Sequence, residues 1–195
     1  ISLAGWQAGI HTDGNHAAAE ITAIHRRRIL RELEAGRIVV TAGFQGVTRR
    51  GDITTLGRGG SDTTAVALAA AFDACGCRIC TDVDGVYDHD PRLAPESRRY
   101  DRIGYDEMLE MAEQGAKVLH PRSVGLAQKH RVPLTVLRTG AESDRQDEQQ
   151  SQPDLRESAQ EPRHIQIMVH FHRYLGCSWL IASRGENRRR GTGPH

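Results

Sequence analysis

A glycine-rich loop that runs directly into an apolar helix constrains the fold of this chain more than any other stretch. Residues 57–62 read GRGGSD, and residues 62–74 are apolar on nearly every side of a helix. Glycine permits positive φ, and a helix N-terminus presents unpaired N–H groups that attract anions. A helix that is apolar all round is buried. The pattern predicts an anion-binding junction, with a plain surface turn before a buried helix as the alternative.

Short apolar strands lie on both sides of this junction. Residues 37–42 (RIVVTA) and 77–81 (CRICT) read as buried strands, a helix over 25–35 precedes the first, and residues 43–60 read as one long loop. Strand, loop, helix and strand at this spacing form a βαβ unit with a right-handed crossover. The other predicted elements are helices over 105–114 and 122–130 and a strand over 132–137. Because a parallel sheet is covered on both faces, we predict a three-layer α/β/α sandwich with a mainly parallel sheet.

Charge and hydropathy exclude several classes of partner. The net charge is +1, which gives no overall attraction to nucleic acid or to anionic membranes. Residues 165–182 form the most apolar stretch, but His170, His172 and Arg173 interrupt it, which favours a short strand over a membrane span. We expect no nucleic-acid partner and no membrane partner.

Three cysteines lie close together in the sequence. Cys75, Cys77 and Cys80 follow the pattern C-x-C-x-x-C and could offer three thiolates to a metal ion. A structural zinc site normally uses four ligands in spaced pairs, and no fourth ligand is evident nearby. We therefore interpret these cysteines as small apolar residues of a buried strand, and we predict no metal site built from protein side chains.

The composition changes after residue 140. Residues 141–163 contain seven acidic and three basic residues, and Leu155 is their only large aliphatic side chain. Such a segment cannot bury enough apolar surface to offset the entropy lost on ordering. We therefore divide the chain into a globular part over 1–140 and an atypical, disordered tail over 141–195.

Four further motifs accompany the GRGGSD loop in a fixed order. They are GFQG at 43–46, TDVDGVY at 81–87, DPR at 90–92 and GAKVLHP at 115–121. Together these motifs closely resemble the aspartate kinases of the amino acid kinase superfamily. The resemblance runs from about Ser2 to about Thr139, and it corresponds to the later part of the family's catalytic domain.

The resemblance implies a reaction and its ligands. Aspartate kinases transfer the γ-phosphate of ATP, which arrives with Mg²⁺, to the side-chain carboxylate of L-aspartate. The product, 4-phospho-L-aspartate, enters lysine, threonine and methionine biosynthesis. The resemblance also suggests a homo-oligomer, and together with the cysteine usage it suggests a cytoplasmic location.

Residues around the GRGGSD loop match the family's substrate side. Because the aspartate carboxylate is already ionised at neutral pH, the reaction needs no general base. The resemblance implies that Asp62 is the catalytic residue and organises cationic groups or the substrate ammonium; the alternative is an ordinary first-turn carboxylate favoured by the helix dipole. Arg58 suits a bidentate contact with the substrate α-carboxylate. Phe44, Gly59 and Ser61 match other positions that line the same pocket.

The later motifs match the family's nucleotide side. The residues implied to bind ATP are Thr81, Asp82, Tyr87, Asp90, Arg92, Lys117 and Val118. Without the resemblance, residues 88–92 would read as a plain polar turn. We interpret His120, which precedes Pro121, as structural.

Two family features are not found in this sequence. The family's Lys-Phe-Gly-Gly-Thr motif, whose lysine reaches the transferring phosphate, has no counterpart, and no ACT-type regulatory domain is recognised after Thr139. Residue 1 is Ile. We therefore expect a fragment or a frame-shifted reading of the gene, with impaired kinase activity. The alternatives are a non-catalytic nucleotide-binding remnant and a kinase for another acceptor, such as glutamate or a nucleoside monophosphate.

Overall fold

A computed structural model describes residues 1–116, 118–139, 165–171 and 178–184. The helices in these ranges are α1 (Arg27–Glu34), α2 (Gly60–Ala71), α3 (Tyr105–Glu113) and α4 (Pro121–His130). The strands are β1 (Ser2–Leu3), β2 (Ile10–Thr12), β3 (Ile21–Ile24), β4 (Val39–Ala42), β5 (Gln45–Val47), β6 (Ile53–Thr55), β7 (Cys77–Thr81), β8 (Val86–Tyr87), β9 (Arg99–Tyr100), β10 (Leu134–Arg138), β11 (Ile165–Phe171) and β12 (Ser178–Arg184).

The main sheet has six strands in the order β1-β4-β12-β11-β7-β10. β1 runs parallel to β4, and β7 runs parallel to both β11 and β10. β12 is antiparallel to its two neighbours, β4 and β11. The predicted α/β fold with a mainly parallel sheet is therefore confirmed, and β12 is its one antiparallel strand within the described residues.

The core lies between this sheet and its helices. Ile79 and Cys80 are successive residues of β7, so they point to opposite faces, yet they are only 3% and 5% exposed. Both faces of β7 are therefore covered, as a parallel sheet requires. Every residue of α2 from Thr63 to Ala69 is buried, which confirms the prediction of a helix that is apolar and covered all round.

Two of the three cysteines, Cys77 and Cys80, are buried residues of β7, as the sequence suggests. Cys75, which precedes β7, is exposed. Burial, reinforced by the nearby charges of Asp62 and Cys80, raises the pKa of Cys77 to about 12. A thiol with so high a pKa stays protonated at neutral pH. No group of three potential metal ligands occurs in the part of the chain that the structure describes.

A second, four-stranded sheet with the order β3-β2-β5-β6 lies beside the main one. A hydrogen bond of 2.6 Å between the buried hydroxyls of Thr12 and Thr54 links β2 to β6 across this sheet. Residues 43–60 are predicted from the sequence to be one loop, but the structure has the β5–β6 hairpin there. Strands of three residues are too short to show the alternation of apolar and polar residues that predicts a strand.

The centre of the main sheet is filled by the hairpin β11–β12, which comes from the segment expected to be a tail. β12 pairs with β4 and β11 pairs with β7, so the hairpin joins the two halves of the sheet. Ile167, opposite Cys77, is 1% exposed. These two segments differ from the expected disorder because each contains an apolar run that central strands can bury. Residues 141–163 lie outside the described residues, and the division at residue 140 stays a prediction.

Because Ile167 is buried in the sheet, Ile167→Ala should lower the free energy of unfolding by about 2–5 kcal/mol, the usual loss for a buried large-to-small change. Urea denaturation followed by circular dichroism measures this loss. Leu93→Ala is the matched control, since Leu93 is 85% exposed and its replacement should change stability by less than about 0.5 kcal/mol. An equally small effect for Ile167→Ala would show that β11 is not part of the core.

Candidate functional site

A cleft lies where the glycine-rich loop, the start of α2 and the start of α4 meet. It has a volume of about 700 Å³. Its lining includes five of the predicted substrate-side residues, Phe44, Arg58, Gly59, Ser61 and Asp62, together with Val118 from the predicted nucleotide side. The structure therefore brings together residues that are up to 74 positions apart in the sequence, from Phe44 to Val118.

Backbone geometry makes this junction open to a ligand. Gly57 and Gly59 have φ of +71° and +68°, a left-handed conformation that side chains other than glycine adopt at a cost. Gly59 is the N-cap of α2 and offers no side chain to the free N–H groups of the first turn. Because α2 begins at Gly60, Ser61 lies inside the first turn and does not cap the helix. The N-terminus of α2 therefore faces the cleft without a side-chain cap.

The GFQG loop is hydrogen-bonded to α2. The backbone N–H of Phe44 donates to the hydroxyl of Thr64 over 3.1 Å, and the Phe44 carbonyl accepts from the backbone N–H of Leu56 over 2.9 Å. Phe44 has φ of +56°, an unusual conformation for a bulky residue. These bonds stabilise Phe44 in that conformation at the edge of the cleft.

His120 contacts the glycine-rich loop from the opposite wall. A methyl group on Gly59 would overlap the Cβ and Cγ atoms of His120, so only glycine fits there. His120 is also the N-cap of α4, because its Nδ1 accepts from the backbone N–H of Arg122 over 3.3 Å. Burial and the charges of Arg122 and Arg58 lower the pKa of His120. The neutral ring can therefore accept at Nδ1, which supports the structural role that the sequence suggests.

Asp62 lies in the first turn of α2 and is partly buried. Burial raises its pKa from the ordinary value of 3.8 to about 6. Its charge also reaches Cys77 and raises the pKa of that thiol. A first-turn carboxylate on an exposed helix would keep a low pKa. The raised pKa of Asp62 is compatible with the role that the resemblance implies, which stays a prediction. Its carboxylate gains from any cation that enters the cleft.

The other predicted nucleotide residues form a separate group after β7. Arg92 makes two 3.0 Å hydrogen bonds to the carboxylate of Asp90 and lies 3.5 Å from Asp82. The hydroxyl of Thr81 donates to Asp82 over 3.2 Å. The structure therefore assembles four of the predicted residues into one cluster, although none of the four lines the cleft.

Tyr87 belongs to a neighbouring network that the sequence analysis did not identify. Its hydroxyl donates to Asp84 over 3.0 Å, and Arg99 and Arg138 lie 3.7 and 4.0 Å from the same carboxylate. The hydrogen bond from Tyr87, aided by the two arginines, lowers the pKa of Asp84. A run of charged residues in a polar turn predicts exposure but not which partners meet. Lys117 lies outside the described residues.

Comparison with known proteins identifies the family of the chain. The model of the amino acid kinase family matches residues 2–138. The chain belongs to the amino acid kinase family.

Within this family the chain resembles aspartate kinases. It is 57% identical over 145 residues to the aspartokinase of Geobacillus stearothermophilus, covering 74% of this chain and 35% of that relative. It is 58% identical over 137 residues to the aspartokinase of Pseudomonas aeruginosa, covering 70% and 33%. The chain thus spans about a third of the length of the curated relatives it matches.

Solved structures agree with the sequence match. The fold is similar to that of Escherichia coli aspartokinase III in complex with aspartate and ADP, with 38% identity and a TM-score of 0.63 over 69% of this chain and 32% of that chain. Clostridium acetobutylicum aspartate kinase gives 26% identity and a TM-score of 0.58 over 74% and 32%. The predicted resemblance and fold class are both confirmed.

The close contact between Gly59 and His120 makes a test of the junction possible. Gly59→Ala adds both a left-handed alanine, which costs about 1–2 kcal/mol, and an overlap with His120, which costs about 1–3 kcal/mol more. Gly36→Ala is the matched control, because Gly36 has φ of +72° but nothing within 4 Å of the added methyl group. Urea denaturation should show the larger loss for Gly59→Ala, and equal losses would contradict the contact.

The raised pKa of Asp62 predicts how stability depends on pH. Between about pH 4 and 6 the folded chain holds a proton on Asp62 that the unfolded chain has released, so stability falls as pH rises through this window. Asp62→Asn should remove that fall and stabilise the protein at pH 8 by about 1–3 kcal/mol. Asp101→Asn, at a carboxylate that is 94% exposed, is the control. A wild-type-like pH profile for Asp62→Asn would show that this carboxyl is not buried.

Proposed function

We propose that the chain carries out the chemistry of an aspartate kinase, the transfer of the ATP γ-phosphate to the side-chain carboxylate of L-aspartate. The observation that carries the proposal is the cleft that holds Arg58 and Asp62 beside the uncapped N-terminus of α2. A cation, a carboxylate and a helix N-terminus are complementary to an amino acid with two carboxylates and one ammonium group. The similar Escherichia coli enzyme was solved with aspartate and ADP, which supports this choice of ligands.

On the substrate side, Arg58 binds the α-carboxylate and Asp62 attracts the ammonium group or a neighbouring cation. Arg58 is exposed within a loop whose backbone is well supported, so its guanidinium can reach into the cleft. A guanidinium can bind a carboxylate through two parallel hydrogen bonds. Because the reacting carboxylate is already ionised, the protein contributes position and charge rather than proton transfer.

On the nucleotide side, the cluster around Arg92 binds ATP together with Lys117 and Val118. Arg92 is bound to Asp90 and Asp82, so a phosphate group would take the place of those carboxylates on the guanidinium. The released carboxylates and the Thr81 hydroxyl are oxygen donors, the ligand type that Mg²⁺ prefers. Mg²⁺ would reach the site with the nucleotide and neutralise the phosphate charge during transfer. Tyr87 contributes near the base, as the family resemblance implies.

The proposal extends to the setting of the reaction. The product, 4-phospho-L-aspartate, would feed lysine, threonine and methionine biosynthesis, and the reaction would take place in the cytoplasm of the cell. We expect a homo-oligomer that binds neither nucleic acid nor membranes. No helix among the described residues is long and apolar enough to cross a membrane.

Arg58→Ala tests the proposal directly. The variant should bind L-aspartate at least about tenfold more weakly, because it loses a charge-assisted bidentate contact, while its affinity for ATP with Mg²⁺ should change by less than about twofold. Arg58→Lys should recover only part of the loss. Isothermal titration calorimetry with the 195-residue chain measures both affinities, and phosphorylated aspartate trapped as the hydroxamate reports turnover. Binding is the primary measurement, because we expect turnover to be impaired.

Arg27→Ala is the control for this experiment, since Arg27 is an exposed arginine on α1, and it should bind both ligands like the wild type. An Arg58→Ala variant that loses affinity for both ligands equally would contradict the placement of the substrate. A wild-type chain that binds ATP but neither binds nor phosphorylates aspartate would favour a nucleotide-binding remnant. Phosphorylation of glutamate in place of aspartate would favour a kinase for another amino acid.

A further inference from the structure

Arg122 connects three parts of the chain that are distant in sequence. It lies in the first turn of α4, and its guanidinium donates to the carbonyl of Leu56 over 2.6 Å and to the carbonyl of Ala19 over 3.2 Å. Bonds from a charged donor are about twice as strong as those between neutral groups. Arg122 therefore fixes the distance between α4, the segment that contains Ala19 and the start of the glycine-rich loop.

The two carbonyls that accept these bonds are in a buried environment. Leu56 and Ala19 are both 0% exposed, so water is a poor substitute for the guanidinium. The remaining backbone groups nearby are also paired: the N–H of Leu56 donates to the Phe44 carbonyl and the N–H of Ala19 donates to the Thr55 carbonyl, each over 2.9 Å. Among the described residues, removal of the guanidinium would leave both carbonyls without a partner, and one of them, that of Leu56, lies where the loop begins.

The other end of the loop also depends on α4. Gly59 rests against the ring of His120, and the backbone N–H of Arg122 donates to the Nδ1 of that ring. The first turn of α4 thus contacts the loop on both sides of Arg58, at Leu56 through a side chain and at Gly59 through the His120 ring. Arg58 itself makes no described contact that would hold its position, so its location follows from these two supports.

We propose that Arg122 is a positioning residue that fixes the loop from Leu56 to Gly60 so that Arg58 meets the substrate carboxylate. The inference rests on the proposed function for the identity of that ligand. Arg122 does not line the cleft, so it acts through the loop and not by touching the substrate. A bidentate contact tolerates little displacement, and a loop released at Leu56 would spread Arg58 over many positions.

Loss of the Arg122 guanidinium should weaken the binding of aspartate and not that of ATP. Arg122→Gln keeps a polar side chain of moderate length but cannot reach both carbonyls, so aspartate affinity should fall about tenfold while ATP affinity stays within about twofold of the wild type. Arg122→Lys can reach one carbonyl with a charged donor and should recover part of the aspartate affinity. Lys129→Gln removes an exposed cation from the same helix and should change neither affinity.

The experiment combines calorimetry with amide hydrogen exchange on the 195-residue chain. Titrations of L-aspartate and of ATP with Mg²⁺ are made on the wild type, Arg122→Gln, Arg122→Lys, Lys129→Gln, Arg58→Ala and the double variant Arg58→Ala/Arg122→Gln, each shown to be folded by circular dichroism. If Arg122 acts through Arg58, the substitution of Arg122 should cost no further aspartate affinity once Arg58 is absent. Exchange at the amides of residues 56–60 should be at least about tenfold faster in Arg122→Gln than in Lys129→Gln.

Each outcome decides the inference. Aspartate affinity within twofold of the wild type in Arg122→Gln would overturn it, and so would equal losses for aspartate and ATP, which would indicate a general structural role. Additive losses in the double variant would show that Arg122 acts independently of Arg58. A wild-type chain that does not bind aspartate would refute the proposed function; exchange at residues 56–60 would then decide whether Arg122 holds the loop, and unchanged exchange in Arg122→Gln would refute that as well.

Discussion

The site depends on the burial of helix α2. Its middle residues are covered on every side, by the main sheet and by α4, so the helix cannot rotate or slide without exposing apolar surface. This burial fixes where the helix begins, and the first turn therefore lies at a defined place at the mouth of the cleft. The hydroxyls of Thr63 and Thr64 donate to the carbonyls of Gly59 and Gly60 over 2.8 and 2.7 Å, which removes polar groups from the core without occupying the free N–H groups.

The first turn of α2 contains unfavourable features that a bound ligand can relieve. The first-turn N–H groups have no side-chain cap, and the carboxyl of Asp62 is held where burial disfavours its charge. A bound anion would satisfy the N–H groups, and a bound cation near Asp62 would lower its pKa toward the ordinary value. An amino acid carries both charges, so the same molecule would relieve both unfavourable features. Free energy of ligand binding and local stability are thus linked at this junction.

How much the sequence predicts depends on the range of the interactions. The bounds of β7 agree with the prediction at both ends, and α2 differs by a few residues, because buried apolar runs bounded by glycine are local signals. The GRGGSD loop is also a local signal, and it predicts that a binding cleft lies at the start of α2. The three-residue strands of the second sheet carry no such signal, and the pairing of Tyr87 with Asp84 depends on how two polar turns fold. The apolar stretch 165–182 indicates a strand, but its composition does not reveal that β11 pairs with β7 and β12 with β4.

The hydrogen bonds of the Arg122 side chain are the contacts that local sequence patterns predict least. Its partners lie 66 and 103 residues away, and both are backbone carbonyls, so no side-chain pattern records the contacts. The GAKVLHP motif ends one residue before Arg122, and the motif's His120 and Pro121 set the first turn of α4 through an N-cap and a favoured first residue. That turn directs the guanidinium of Arg122 toward the loop and the His120 ring toward Gly59. Residues of a motif predicted to lie on the nucleotide side therefore also form one wall of the cleft that holds Arg58 and Asp62.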